Sequence, residues 1–398
     1  MVGEGECPLI GRLVIVHDQA ADLGGQERAV QALIEHYPSA TALAPRFAAT
    51  NRPAGHRTSW DGRTRLLGRG RDRRRAFLAP LYGLRVARAG VQDADIVLSI
   101  TQGGWSPAAR VPLSTPHACY SFGLPPHVYG FSQTYLNDEP RALRPVLRAA
   151  LPALRAYDRS MLRRPRRLIT CSEFAARELQ RVHGRLAEVV HPPVRTHVFT
   201  PAPADRQTFL MVARLVSFKR VDMVVEAFRG LEEKLVVAGD GPALAQLRRI
   251  APANVSFVGA CDDAALLRYY RSSRALICPS VETFGIAMCE AQACGTPVIG
   301  ARAGGARESV RDGVTGILLD HPDPRSIAES VRALESAALS PRACRESAER
   351  FSEDRFTRAI DRILIEELGA TAGASGDREL ADVARRSQSR PPAGGPAA

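Results

Sequence analysis

Lysine is almost missing from this chain of 398 residues: only Lys219 and Lys234 stand among 54 basic side chains, the rest being arginine. With alanine abundant as well, the bias reflects codon composition more than chemistry. No apolar run approaches the roughly 18–20 residues that cross a bilayer as a helix. The opening residues, MVGEGECPLIGRLVIVH, carry two glutamates and no basic leader region, unlike a secretory signal. The eight cysteines fall singly, several in apolar stretches such as ALICPS and AMCEAQACG. Without CxxC pairs or a metal-ligand rhythm they predict reduced core thiols in a cytosolic protein, neither a disulfide framework nor a zinc site. No GxGxxG follows the first strand, which argues against a nicotinamide or flavin site. Aromatic residues are 6 % of the chain and do not interleave its basic stretches, so no stacking platform for nucleic acid is present.

Length and charge supply the next bounds. The chain suits two domains of roughly 150–200 residues. The net charge of +12 favours anionic ligands or surfaces. The densest basic run, RTRLLGRGRDRRRAF, spans 63–77. It reads as a solvated face, with weak contact to an anionic membrane through Arg63–Arg75 as the functional alternative.

Strands and helices alternate. GRLVIVHD is a strand, QAADLGGQ a glycine loop and ERAVQALIEHY a helix. ADIVLSI (Ala94–Ile100) and RRLITCS (Arg166–Ser172) are further strands, and Ser172 is placed to cap the helix EFAARELQRV. After the Pro/Ala-rich Pro201–Gln207 the pattern restarts with TFLMVARL, KLVVAGDGP, NVSFVGA, ALICPS and PVIGA as strands. Such alternation predicts parallel sheets covered on both faces. The expected division is a domain at 1–200, a second at 201–350, a terminal helix at 351–368 that crosses back to the first domain, and a disordered tail at 369–398. Two doubly wound sheets joined by a linker place a cleft between the carboxyl ends of their strands, where ligands of such sheets bind.

The residues directly after strands fit that cleft. Gly24 and Gly25 open a helix and let backbone approach an anion. Arg214 and Lys219, in ARLVSFKR, offer a fork and a point charge to a diphosphate. Gly241 lies in the turn GDGP. In CPSVETFGIAMCEAQACGTPVIGARAGG two acids sit inside apolar sequence with seven residues between them, Glu282 before a helix and Glu290 about two turns on. A glutamate among apolar side chains is costly without partners, and sugar hydroxyls are suitable ones. The bland readings are a solvated helix start for the cations and a first-turn acid plus an exposed acid for the glutamates.

ETFGIAMCEAQACGTPVIGARAGGARESVRDGVTGILL, with ARLVSFKR and GDGP before it, resembles the donor-binding half of a family-4 retaining glycosyltransferase of the GT-B fold. LGGQERAV, LRAYDRS, ITCSEFAARELQR and VVHPPV resemble the acceptor half, in particular the mannosyltransferase-like branch that builds O-antigen. The resemblance implies two Rossmann-like α/β domains and metal-independent transfer of a hexose, without a cofactor. The donor would be a nucleotide-diphosphate sugar and the acceptor a glycan, a lipid-linked or a small molecule. Arg214 and Lys219 would grip the diphosphate. Glu282 and the amides of Phe284, Gly285 and Ile286 would hold the sugar, Glu290 the ribose. Gly24 and Gly25 would lie beside the phosphates, and Gly241 would line the base pocket. Two departures stand out: Thr283 replaces an acid common after the first glutamate, and the branch's His-Thr-Pro run reads LSTPHACYSF. Either Ser114 stands at the histidine position or His117 takes the catalytic role. The implied location is cytoplasmic, with peripheral contact at the inner membrane face. The rival readings are a nucleotide-sugar epimerase and a non-catalytic nucleotide-sugar-binding protein of the same fold.

Overall fold

The computed structural model describes residues 10–18, 24–47, 64–70, 79–91, 93–102, 104–137 and 139–375. The basic run Arg63–Arg75 lies outside them apart from the backbone of one strand, and so do 376–398.

The chain opens with β1 (Leu13–His17), α1 (Gly25–His36), β2 (Thr41–Phe47), β3 (Thr64–Gly70), α2 (Ala79–Ala89) and β4 (Ile96–Thr101). It continues with β5 (His117–Ser121), α3 (Ser132–Asn137), α4 (Arg144–Leu162), β6 (Arg167–Thr170), α5 (Glu173–His183) and β7 (Glu188–Val189). These strands form one parallel sheet in the order β3-β2-β1-β4-β5-β6-β7. LVIVH of β1 is buried throughout, as a strand between two helical layers must be. Ser172 caps α5 as its sequence predicts, its side chain accepting from the Ala175 amide.

The second sheet is built from β8 (Thr208–Val212), α6 (Val221–Ala227), β9 (Lys234–Ala238), α7 (Leu244–Ile250), β10 (Val255–Gly259), α8 (Asp263–Ser272) and β11 (Ser273–Cys278). α9 (Ile286–Ala293), β12 (Val298–Ala301), α10 (Ala306–Ser309), β13 (Gly316–Leu319), α11 (Pro324–Ala333) and α12 (Pro341–Glu349) complete it. The order is β10-β9-β8-β11-β12-β13, again parallel. Two Rossmann-like units in this arrangement are the GT-B fold.

The chain crosses between units slightly before Pro201–Gln207. Val194 packs in the first core and Phe199 in the second. The return crossing lies beside it: Val194 and Ser352 form a parallel bridge. α13 (Glu353–Ser375) then lies back on the first unit. Its Phe356, Ile360, Ile363 and Leu364 are buried with Tyr120 and Leu33, and its Asp361 accepts from Tyr37 and pairs with His36. The helix does not stop at 368: GATAGAS continues it to Ser375, the alanines there being good helix formers.

The carboxyl ends of the two sheets face each other. A Cβ on Gly25, at the start of α1, would come 2.8 Å from Ile286 Cδ1, at the start of α9. Ser172 Oγ, after β6, donates to the Thr283 carbonyl at 2.5 Å. Phe218, after β8, packs on Phe131 and Tyr135 of the first unit, with ring centroids 5.2 and 5.6 Å away.

Candidate functional site

Four loops of the second unit build one wall of the cleft. After β8 the chain runs through Arg214 into a short turn ending at Lys219. The turn after β9 lies flush against it: a Cβ on Gly239 would stand 1.9 Å from the Ala213 carbonyl oxygen, and one on Gly241 2.4 Å from that of Leu215. Only glycine allows that approach. Gly241 therefore supports the Arg214 loop. After β12, the Gly305 amide donates to the Glu282 carbonyl at 2.9 Å, and a Cβ there would meet the Phe284 backbone. This fixes the loop Ser280–Gly285.

Glu282 sits at the centre. Lys219 Nζ reaches its two oxygens at 2.7 and 2.5 Å, and Ser280 Oγ donates to one of them at 2.6 Å. Burial works against the Lys219 charge, but the carboxylate overrides it and holds the ammonium above the ordinary lysine range. Both side chains keep roughly a fifth of their surface exposed, at 21 % and 16 %. Arg214 is exposed and has no ion pair among the described residues. The structure therefore brings Lys219 and Glu282 together and leaves Arg214 free at the rim.

α9 begins beside Glu282. Gly285 starts it at φ 93 and no side chain caps it, so the Ile286 and Ala287 amides stay open to an anion, while the Met288 amide donates to the Gly285 carbonyl. Phe284 contributes backbone only, its ring being buried against His191 and Phe351. Opposite lies the start of α1, where Gly24 takes the cap position and Glu27 bonds its amide. Two helix amino ends meeting across a cleft, with a lysine beside them, have the charge pattern that suits an anion.

Glu290 is not on an open wall. It is 3 % exposed, its Oε2 accepts from Tyr270, and its Oε1 lies 3.3 Å from Arg28 Nε. Burial raises its proton affinity, and Arg28 and Tyr270 oppose that. Its partner Arg28 comes from α1, in the other unit. The sequence reading stopped at the glycine pair and missed Arg28, which is visible one turn further in LGGQER.

The first-unit wall corrects the histidine assignment. His117 starts β5, and in a parallel sheet the start of a strand lies at the end away from the cleft. It is buried there against Ser99, Nε2 to Oγ 2.8 Å, and burial holds its pKa down at about 4. Ser114 is exposed in the turn just before it, at the same far end. The residue that β5 carries into the cleft is Phe122, which lies beside Gly25. Asp18, unremarked in the sequence, follows β1 and is buried, accepting from Thr101 Oγ1 and from the Gln102 and Ser106 amides. It orders the loop after β4.

Among the described residues, no group of three or more His, Cys, Asp and Glu is arranged to hold a metal ion, and no helix is long and apolar enough to cross a membrane. The Asp93–Ala94–Asp95 triplet precedes β4, at the end of the sheet away from the cleft.

Residues 195–351, the second unit from crossing to return crossing, match the family Glycosyl transferases group 1. The D-inositol 3-phosphate glycosyltransferase of Mycolicibacterium smegmatis is 33 % identical over 243 residues, covering 54 % of this chain and 55 % of that protein. D-inositol 3-phosphate glycosyltransferase 1 of Catenulispora acidiphila is 30 % identical over 263 residues, 57 % of this chain and 63 % of that one. The match thus spans little more than half the length of these relatives. They point away from the O-antigen branch that the sequence suggested. Among solved structures, sucrose-phosphate synthase from Thermosynechococcus elongatus superposes with TM-score 0.71 at 18 % identity, over 90 % of this chain and all of that one. Anabaena Alr3699/HepE in complex with UDP-glucose gives 0.67 at 18 %, over 88 % and 99 %. At that identity they share the fold.

Proposed function

We propose that the protein is a glycosyltransferase that moves a sugar, in our reading a hexose of mannose type, from a nucleoside-diphosphate donor to an acceptor hydroxyl with retention at the anomeric carbon. The observation that carries this is the Lys219–Glu282 pair set at the open amino end of α9, opposite the start of α1. The match of residues 195–351 to the glycosyl transferases group 1 supports it.

Each group has a task. The diphosphate lies between the two helix amino ends, with Lys219 and Arg214 matching its charge as the leaving group departs. Glu282 exchanges part of its bond to Lys219 for hydroxyls of the donor sugar. Glu290 takes the ribose, and the GDGP turn with Gly241 lies beside the base. The bond from the anomeric carbon to the phosphate oxygen breaks, and the bond to the acceptor oxygen forms on the same face. The acceptor proton passes to the leaving phosphate. No side chain is required as base, consistent with a cleft whose β5 end offers Phe122. Charge is neutralised by cations and helix ends, so neither a metal nor a further cofactor enters.

The curated relatives are named for D-inositol 3-phosphate. A net charge of +12 suits an anionic acceptor, and the small-molecule class is the first to test. The experiment is a panel of nucleoside-diphosphate sugars with and without D-inositol 3-phosphate, followed by anomeric NMR of the product. A transfer product with the donor's anomeric configuration supports the reading. Release of free epimerised sugar without acceptor contradicts it.

A further inference from the structure

Lys219, Glu282 and the α9 amides all belong to the second unit. Glu290 is on that unit too, yet it is held from the first. Arg28 crosses the boundary with its side chain 9 % exposed, and its Nη2 meets Asp263 Oδ1 at 2.8 Å while its Nε faces Glu290. Arg195, from the crossing segment, binds the other oxygen of Asp263. The Phe199 ring lies under both guanidinium groups, at 5.7 and 6.0 Å. Cations and acids alternate along this line, and Asp263 is held below the usual carboxylate range: burial works against its charge, and Arg28 and Arg195 outweigh it.

Such a buried set is costly unless its hydrogen bonds are complete. Arg195 Nε lacks a hydrogen-bond partner among the described residues, and two atoms at the centre of the set are incomplete in the same way: neither Arg28 Nη1 nor Glu290 Oε1 has one. One is a donor and the other an acceptor, on side chains that already touch. A vicinal diol supplies both complements, one hydroxyl accepting and its neighbour donating.

We propose that Arg28 is a positioning residue of the donor site: from the first domain it orients Glu290 for the ribose diol, so the ribose grip is complete only where α1 and α9 are together. This rests on the nucleotide-sugar reading above. It makes affinity for the ribose-bearing part of the donor depend on a side chain of the opposite domain. Binding of the diphosphate part alone does not share that dependence.

Calorimetric titration of UDP, GDP and inorganic pyrophosphate tests it in the wild type, Arg28→Gln, Glu290→Gln and the double variant. The wild type should bind at least one nucleotide. Each single change should weaken that nucleotide about 10- to 150-fold, the range for a lost charged hydrogen bond, and leave pyrophosphate unchanged. The double variant should be no weaker than the singles, because both remove one contact. Arg28→Lys serves where the Gln variant does not fold: a point charge cannot fork to two acids, so the same selective loss is expected. A variant with a lower melting point and unchanged nucleotide affinity overturns the proposal, as does an equal loss for pyrophosphate. A wild type that binds neither nucleotide overturns the donor reading itself, a different result from a wild type that binds while Arg28 proves indifferent.

Discussion

Lys219 and Glu282 hold each other at 2.7 and 2.5 Å, so the donor of the proposed reaction would enter between charges already matched. That arrangement separates the two acids of the site. Glu282→Ala should barely change nucleoside diphosphate affinity but lower turnover or alter which sugar is used. Reversal of these effects between Glu282→Ala and Glu290→Gln would exchange the two roles. Alanine is the wrong probe at Glu290, since stripping one partner from a buried pair costs about 3–5 kcal/mol of stability. Arg214→Ala should reduce transfer about 100-fold, the effect of removing one preorganised charge-stabilising group; unchanged turnover would remove it from the site. His117 yields a prediction of the opposite kind. Burial lowers its pKa from 6.5 to about 4, so the folded state keeps it neutral while the unfolded chain takes up a proton below 6.5. Its contribution is therefore present above pH 6.5 and is lost on acidification towards 4, about 3 kcal/mol in all. His117→Gln should flatten that part of the stability curve relative to wild type and leave turnover at neutral pH unchanged; a large loss of turnover would return His117 to the chemistry. The sequence showed that a histidine was missing from the expected place in LSTPHACYSF, where Ser114 stands. It did not show on which side of the sheet the remaining histidine falls, because that depends on where β5 begins.

Elements were legible where periodicity is strong. The capped α5, the glycine turns and the double-glutamate helix are where the residues predict them, because capping and turn chemistry are local. Contacts between elements were not legible. Nothing in GGQER says that Arg28 meets an acid more than two hundred residues later, and nothing in ARESV says what Glu308 does. Glu308, on α10, accepts from the Glu173 and Phe174 amides at 2.9 and 3.0 Å and faces His191 at 3.1 Å. It caps α5 from the other unit, and although burial opposes its charge, His191 and the amides hold its carboxyl below the usual range. Likewise α13 reads as an amphipathic helix, but only the structure shows that it covers β5. Phe356 is 2 % exposed there, with its ring 5.7 Å from that of Tyr120. Phe356→Ala should cost about 3–5 kcal/mol, measured by denaturant unfolding. A cost below 1 kcal/mol would mean that α13 is not part of the first core.

At the scale of the molecule, two parallel sheets face each other through their carboxyl ends, joined by two crossing segments that lie side by side at Val194 and Ser352. Cross-domain contacts cluster at α1–α9, at the Glu308 cap and at the Phe218–Tyr135 stack. Each pairs a few side chains across a boundary, the kind of contact that hinge closure makes and breaks. Small-angle scattering should show a radius of gyration with saturating nucleotide sugar no larger than without it, and smaller if the free protein opens; expansion would contradict a closing cleft. Activity should persist in excess chelator, and a strict need for magnesium or manganese, restored on re-addition, would count against neutralisation by cations and helix ends. The most direct test of the central claim, a diphosphate donor seated at Lys219, is calorimetric titration of nucleoside diphosphates into the wild type and Lys219→Ala. We predict binding of UDP or GDP by the wild type and a loss of about 10- to 150-fold in the variant. Equal affinity in the two proteins, or no binding by the wild type, would contradict it.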